Sequence, residues 1–293
     1  MTRTTVGEGI EIEYESFGDP SDPTLLLVSG YTSQLLGWDV GLVDQLVAQG
    51  LRVVRFDNRD VGLSTKLDGV RVSPMKVMRT IIDEGVVPDV PYRLSDMAGD
   101  AIGLLDHLGV DRAHVAGVSM GGMIVQTMAI EHPDRIASLT SIMSTTGDHR
   151  VGQATAEARD ALLAPPPRDR DAYVDAAERV KVWASNRHFD VQYVRERAGA
   201  DYDRSYYPEG ATRQLAAIYA SGDRTEGLAS LDVPTLVIHG RDDTLIQPSG
   251  GEQTAALVAG SKYLLLSDMG HDLPVPLWPV LAEAIGGHVR TAV

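Results

Sequence analysis

Three positions in this chain have the residue types that together make a hydroxyl attack a carbonyl: Ser119, an acid at Asp242 or Asp243, and His271. Ser119 is the centre of Gly117-Val118-Ser119-Met120-Gly121, where the apolar run His114-Val115-Ala116 gives way to a helical pattern from Met120 onward. Strand, sharp turn and helix is the context in which a G-x-S-x-G pentapeptide acts as a nucleophile elbow, with the serine strained and its hydroxyl clear of the sheet. A side chain at position 117 or 121 would collide with neighbouring backbone, which accounts for glycine at both. With 29 Gly in 293 residues, the pentapeptide alone is weak evidence, so its context carries the weight.

The elements that must position these groups are also legible. Val233-Pro234-Thr235-Leu236-Val237-Ile238-His239 is a short β-rich apolar run of the kind that forms a buried parallel strand, and it leads into Gly240-Arg241-Asp242-Asp243. A second run, Tyr263-Leu264-Leu265-Leu266, ends in Ser267-Asp268-Met269-Gly270-His271. Acid and histidine therefore each follow the C-terminal end of a predicted strand, the edge at which open α/β sheets build their sites. Further strands are predicted at Ile10–Tyr14, Thr24–Val28, Arg52–Phe56 and Leu139–Met143. Leu94, Met97, Ala101, Leu104, Leu105 and Leu108 fall at helical spacing, so an amphipathic helix precedes the elbow strand. Alternation of strands with helices predicts a mainly parallel sheet.

With the elbow followed by an acid and a histidine in that order, the chain resembles the α/β-hydrolase fold family, in the serine esterase branch of the aclacinomycin methylesterase type. The resemblance implies a mostly parallel eight-stranded sheet flanked by helices, with an inserted helical cap. The family's Gly-x-x-Asp motif falls on Gly240-Arg241-Asp242-Asp243, which makes Asp243 the acid, and its Gly-His pair falls on Gly270-His271. Members that carry the acid one strand earlier would need a carboxylate just after Met143, and none occurs before Asp148. Phe56-Asp57-Asn58-Arg59-Asp60-Val61-Gly62-Leu63-Ser64 resembles the family's Asp-x-Arg-Gly-x-Gly-x-Ser loop, with Asp60 at a usual glycine position. Its Asp and Arg are read as holding the loop rather than as catalytic.

A serine hydroxyl is a weak nucleophile until a base takes its proton. His271 is expected to be that base and, later, the acid for the leaving group, with Asp243 holding the imidazole tautomer. Two main-chain N–H groups are expected to receive the oxyanion: Met120, after the nucleophile, and Tyr31, in the loop Ser29-Gly30-Tyr31 that follows Thr24–Val28. Many relatives have His-Gly where this chain has Ser29-Gly30, so the support a histidine would give that loop is absent.

Residues 147–230 lose strand character, pass through Pro165-Pro166-Pro167 and continue as charged, Tyr-bearing helical stretches. They are read as the cap, inserted after the sixth main strand of a core domain made of 1–146 and 231–293. Trp183, Tyr207 and Tyr219 are the candidate substrate-contacting rings, beside Tyr193, Tyr202 and Tyr206, with cap packing as the plainer role for each. Pro74 to Pro91 is predicted to include a short helix near the entrance.

A net charge of −15 argues against nucleic-acid binding and against an anionic membrane surface. The absence of cysteine removes disulfides and Cys-based metal sites. No histidine pair has metal-ligand spacing, no phosphate-binding Gly-rich motif with a Lys occurs, and neither metal nor cofactor is expected. The N-terminal stretch lacks a signal-peptide core and no run reaches membrane-spanning length, so a cytoplasmic enzyme acting on a small-molecule ester, monomeric or homodimeric, is the expectation. The same three residues would also serve C–C hydrolysis, lactone opening or cofactor-free perhydrolysis, and acyl transfer to an alcohol. Epoxide hydrolase and haloalkane dehalogenase relatives use an Asp where this chain has Ser119. A binding-only relative of the same fold is a reading from a different class.

Overall fold

Leu25, Leu26, Leu27 and Val28 are all buried, and they alternate between two cores. Successive strand side chains point to opposite faces, so an apolar run of this kind demands cover on both. Each such side chain contributes roughly 1.5–3 kcal/mol relative to exposure. The computed structural model describes residues 2–7 and 9–292, and in it these four residues belong to one of the inner strands of a single sheet.

The strands are β1 (Thr2–Gly7), β2 (Ile10–Phe17), β3 (Thr24–Val28), β4 (Arg52–Phe56), β5 (Ala113–Val118), β6 (Ile136–Ile142), β7 (Thr235–Gly240) and β8 (Lys262–Leu266). They lie in the order β1-β2-β4-β3-β5-β6-β7-β8. The first two pairings, β1 with β2 and β2 with β4, are antiparallel, and all the others are parallel. The mostly parallel eight-stranded sheet is thus present. β1 is not legible in the sequence, because this edge strand is polar and largely exposed and carries no apolar alternation.

Helices cover both faces. Between β3 and β4 lies α1 (Val40–Val47), and between β4 and β5 lie α2 (Pro74–Glu84) and α3 (Leu94–His107). The helix α4 (Met120–Glu131) joins β5 to β6. Five helices lie between β6 and β7: α5 (Ala156–Leu163), α6 (Arg170–Ala176), α7 (Val191–Ser205), α8 (Glu209–Ser221) and α9 (Thr225–Ala229). Finally, α10 (Ser249–Leu257) precedes β8 and α11 (Trp278–Thr291) follows it. Leu26 and Val28 pack with α3 and α4 through Leu104, Met120 and Ile124, whereas Leu25 and Leu27 pack with α1 and α11 through Leu42, Leu46 and Ile285. The spacing of Leu94, Met97, Ala101, Leu104 and Leu105 buries all five on one face of α3. In the Pro74 segment, Ser73 caps α2 by accepting from Lys76 N–H, and Gly85 ends it in a left-handed conformation.

Candidate active site

β5 lies between β3 and β6, so its C-terminal end opens at the middle of the sheet. Ser119 follows it with φ 57° and ψ −120° and serves as the N-cap of α4. A non-glycine residue held there costs of order 1–3 kcal/mol and persists only where its surroundings over-determine it. Those surroundings are explicit. Ser119 N–H donates to the Ile142 carbonyl at 2.9 Å, and the Ser119 carbonyl accepts from Ser144 Oγ at 2.8 Å and from Met123 N–H at 3.1 Å. A Cβ on Gly117 would collide with the Gly121 carbonyl, and one on Gly121 with the Val28 carbonyl, which is the crowding that the two glycines imply. Met120 N–H lies in the first turn of α4, where backbone donors lack helical partners.

The acid and the histidine meet. His271 Nδ1 lies 2.6 Å from Asp243 Oδ2, while Asp243 Oδ1 accepts the N–H groups of Leu245 and Ile246, each at 2.9 Å. Asp243 is 2% exposed. Burial pushes its carboxyl up, but the charge of His271 and hydrogen bonds from His239 and His271 outweigh that and hold it below the usual value of 3.8. The neighbouring Asp242 is turned away and accepts from Asn186 N–H at 3.3 Å. The backbone at His271 is fixed too, because its main-chain N–H donates to the Trp183 carbonyl at 2.6 Å. Among the described residues, Ser119 Oγ and His271 Nε2 make no hydrogen bond to each other. Such bonds are often long without substrate and tighten when it binds.

His239, in β7, is fully buried with Nε2 3.4 Å from Asp243 Oδ2 and 2.8 Å from the Ile246 carbonyl. Two imidazoles therefore flank one carboxylate. The signal in the sequence is His239 closing a buried strand four residues ahead of the acid.

After β3 the chain turns through Ser29, Gly30 and Tyr31. The Ser29 carbonyl accepts from Asn58 Nδ2 at 3.0 Å, and the Gly30 carbonyl accepts from Ser33 N–H at 3.2 Å. A Cβ on Gly30 would lie 3.3 Å from Ser119 Cβ, so this loop abuts the turn that carries Ser119. Burial, then the neighbouring Tyr219, pushes the Tyr31 hydroxyl up to about 12, so it stays protonated at neutral pH.

The Asp57–Ser64 loop braces this turn. Asp57 accepts the N–H of Leu35 at 2.7 Å and of Leu63 at 2.8 Å, and pairs with Arg204 of α7 at 2.7 Å. Burial raises its carboxyl pKa against the opposing pull of Arg204. Arg59 forks onto Asp100 at 2.6 and 2.7 Å. Asp60 has φ 67°, the conformation that favours glycine, and its carboxylate takes a two-point bond from the buried Arg213 of α8 at 2.7 and 2.8 Å.

A cavity of about 990 Å³ opens beside these groups, with Tyr31, Val118, Met143, Trp183, Tyr207 and His271 in its wall. Trp183 and Tyr207 thus line the cavity. Tyr207 also binds outward, its hydroxyl 2.8 Å from Asp68 and 2.7 Å from Arg213. Tyr219 is not in that wall and packs instead with Val72, Val77, Ile81 and Val90 in and around α2. Pro74 and Met75, at the start of α2, do reach the cavity. Among the described residues, no group of three or more His, Cys, Asp or Glu is placed to hold a metal ion, and no helix is long and apolar enough to cross a membrane.

Comparison with known proteins identifies the family. A family described as the alpha/beta hydrolase fold matches residues 23–275. The chain is 26% identical to rhodomycin D methylesterase DnrP of Streptomyces peucetius, covering 99% of each protein. It is also 26% identical to 3-oxoadipate enol-lactonase 2 of Acinetobacter baylyi, over 85% of this chain and 82% of the relative. Among solved structures, the enol-lactonase of Burkholderia xenovorans superposes with a TM-score of 0.72 at 22% identity, covering 98% of this chain and 99% of that one.

Proposed function

The chain belongs to the alpha/beta hydrolase fold family, and from that premise we propose that it is a serine hydrolase that cleaves small-molecule carboxylic esters through an acyl-enzyme on Ser119. The observation that carries the proposal is the 2.6 Å bond between His271 and the buried Asp243, at the same sheet edge as a serine strained to φ 57°. In this reading His271 takes the Ser119 proton as Oγ attacks the ester carbonyl. Asp243 keeps Nδ1 protonated, leaves Nε2 free as the base, and stabilises the imidazolium that forms. The N–H groups of Met120 and Tyr31 receive the oxyanion, each worth about 3–4 kcal/mol in comparable sites. The tetrahedral intermediate collapses as His271 protonates the leaving alcohol. Water, activated by the same imidazole, then releases the acid and restores Ser119.

Residues 147–230 act as the cap in this proposal. Through Trp183 and Tyr207 they would shape the acyl or alcohol side of the pocket. A volume of about 990 Å³ is at the upper end for small-molecule sites and suits a bulky ester better than an acetyl group. The likeness to a methylesterase over the whole chain supports ester chemistry. Lactone opening, an ester cleavage within a ring, is the second reading, favoured by the likeness to the enol-lactonase of Acinetobacter baylyi.

The deciding experiment measures hydrolysis of p-nitrophenyl esters, from acetyl to long acyl, by the wild type and by Ser119→Ala. Turnover should rise with acyl size and fall by at least about 10⁴ in the variant. Turnover that survives the substitution would refute Ser119 as nucleophile. A folded wild type that ignores every linear ester but opens lactones would select the second reading.

A further inference from the structure

The loop that carries Tyr31 lacks the histidine seen in many relatives, yet it is held tightly, and the holding groups come from far along the chain. Gln214, on α8, is fully buried. Its Oε1 accepts Thr32 N–H at 2.9 Å and its Nε2 donates to the Arg59 carbonyl at 3.0 Å. One partner only donates and the other only accepts, so the orientation of the amide is forced. Thr32 has φ 58°, rare for a β-branched residue, and such a conformation needs outside support.

The next residues are gripped from α7. Gln34 Nε2 donates to the carbonyls of Asp201 at 2.6 Å and Ser205 at 3.1 Å, and Gln34 Oε1 accepts from Arg204 at 2.7 Å. Fixing the Tyr31–Thr32 peptide fixes ψ of Tyr31. On its other side, Gly30 is pinned against Ser119 and Val118. The direction of the Tyr31 N–H is therefore set between these two constraints.

We propose that Gln214 is a positioning residue for the oxyanion loop: its amide holds the Thr32 N–H, and through that peptide it aims the Tyr31 N–H at the oxyanion. This rests on the serine-hydrolase reading above. It makes the helices between β6 and β7 part of the catalytic apparatus as well as the wall of the pocket, because the oxyanion loop is complete only when α8 is docked.

The test compares Gln214→Met, which keeps length but can neither accept nor donate, with Gln214→Glu, which can still accept Thr32 N–H. Readouts are kcat and KM on the best ester, the rate at which a fluorophosphonate labels Ser119, and the melting temperature. Loss of a whole oxyanion donor costs about 10²–10³ in kcat, so misaiming one should cost at least about tenfold. The Met variant is expected to lose that factor in kcat and in labelling rate with KM within about twofold, the signature of a transition-state interaction. The Glu variant is expected to recover most of it even if both melt at the same lowered temperature. A folded Met variant with wild-type kcat overturns the proposal, as does a loss that follows melting temperature and KM with no rescue by Glu. If the wild type is not labelled, or Ser119→Ala keeps its activity, the nucleophile assignment fails and this inference falls with it. An inactive Ser119→Ala beside an unimpaired Gln214→Met sinks the positioning role alone.

Discussion

Asp243 and Asp242 are adjacent carboxylates with opposite surroundings, and that contrast sets the sharpest residue-scale prediction. Asp243 is 2% exposed and takes bonds from His271, Leu245 and Ile246, whereas Asp242 reaches one backbone N–H in the loop that follows Trp183. On the proposed mechanism, replacing Asp243 by Asn is expected to lower kcat by about 10⁴, as wrong-tautomer substitutions do in serine hydrolases. Asp242→Asn should stay within a few-fold of wild type. Steady-state kinetics of the two variants checks both, and equal losses would contradict the assignment of Asp243. The pKa of Asp243 lies below the ordinary value of 3.8, so the unfolded carboxyl binds its proton first as pH falls. Its contribution to stability is present above about pH 4 and is lost below it.

At the scale of elements, the joint between the Asp57–Ser64 loop and α8 depends on one unusual residue. Asp60 occupies a left-handed conformation that glycine would adopt without strain, yet its carboxylate is the two-point partner of Arg213, both side chains being almost wholly buried. Two effects compete in Asp60→Gly. Relief of backbone strain is worth roughly 1–2 kcal/mol, while stranding a buried arginine costs roughly 3–5 kcal/mol. The second is larger, so the variant should melt at a lower temperature than wild type. A rise in melting temperature on thermal denaturation would mean that the ion pair contributes less than the strain it imposes.

For the molecule as a whole, buried histidines set an acid limit on stability. His114, in β5, bonds Ser138 Oγ at 2.8 Å and is held down to about 4, first by burial and then by the charges of His288 and Arg112. His288 is lowered as well, chiefly by burial. The unfolded chain takes these protons near pH 6.5 and the native protein does not, so stability is full above about 6.5 and declines as pH falls toward 4. Melting temperature should follow that course, and His114→Asn, which can still reach Ser138, should make the decline shallower. A pH profile unchanged by the substitution would refute the role of His114.

Local physics explains how much of this protein is legible in its sequence. Strand, turn and helix around Ser119 are dictated by neighbours within a few residues, through glycine sterics and an apolar run that must be buried on both faces. β7, which leads to Asp243, is buried throughout for the same reason, whereas β8, which leads to His271, is an edge strand whose Tyr263 and Leu265 stay exposed and which is legible by its apolar run alone. The order of the three residues and the mostly parallel sheet follow from spacing. Choosing Asp243 over Asp242 needs a family motif, since both follow the same strand and only the fold decides which one His271 reaches. The cavity is decided entirely by docking. Thr32 meets Gln214 across 182 positions and Asp57 meets Arg204 from α7, pairings with no local signature in either segment. Tyr219 has the same composition-level claim on the pocket as Tyr207, but the packing of α8 on α2 turns it into a separate apolar cluster. Which ring faces substrate is set by non-local burial, the sum of many contacts that form only when the helices between β6 and β7 settle on the sheet edge.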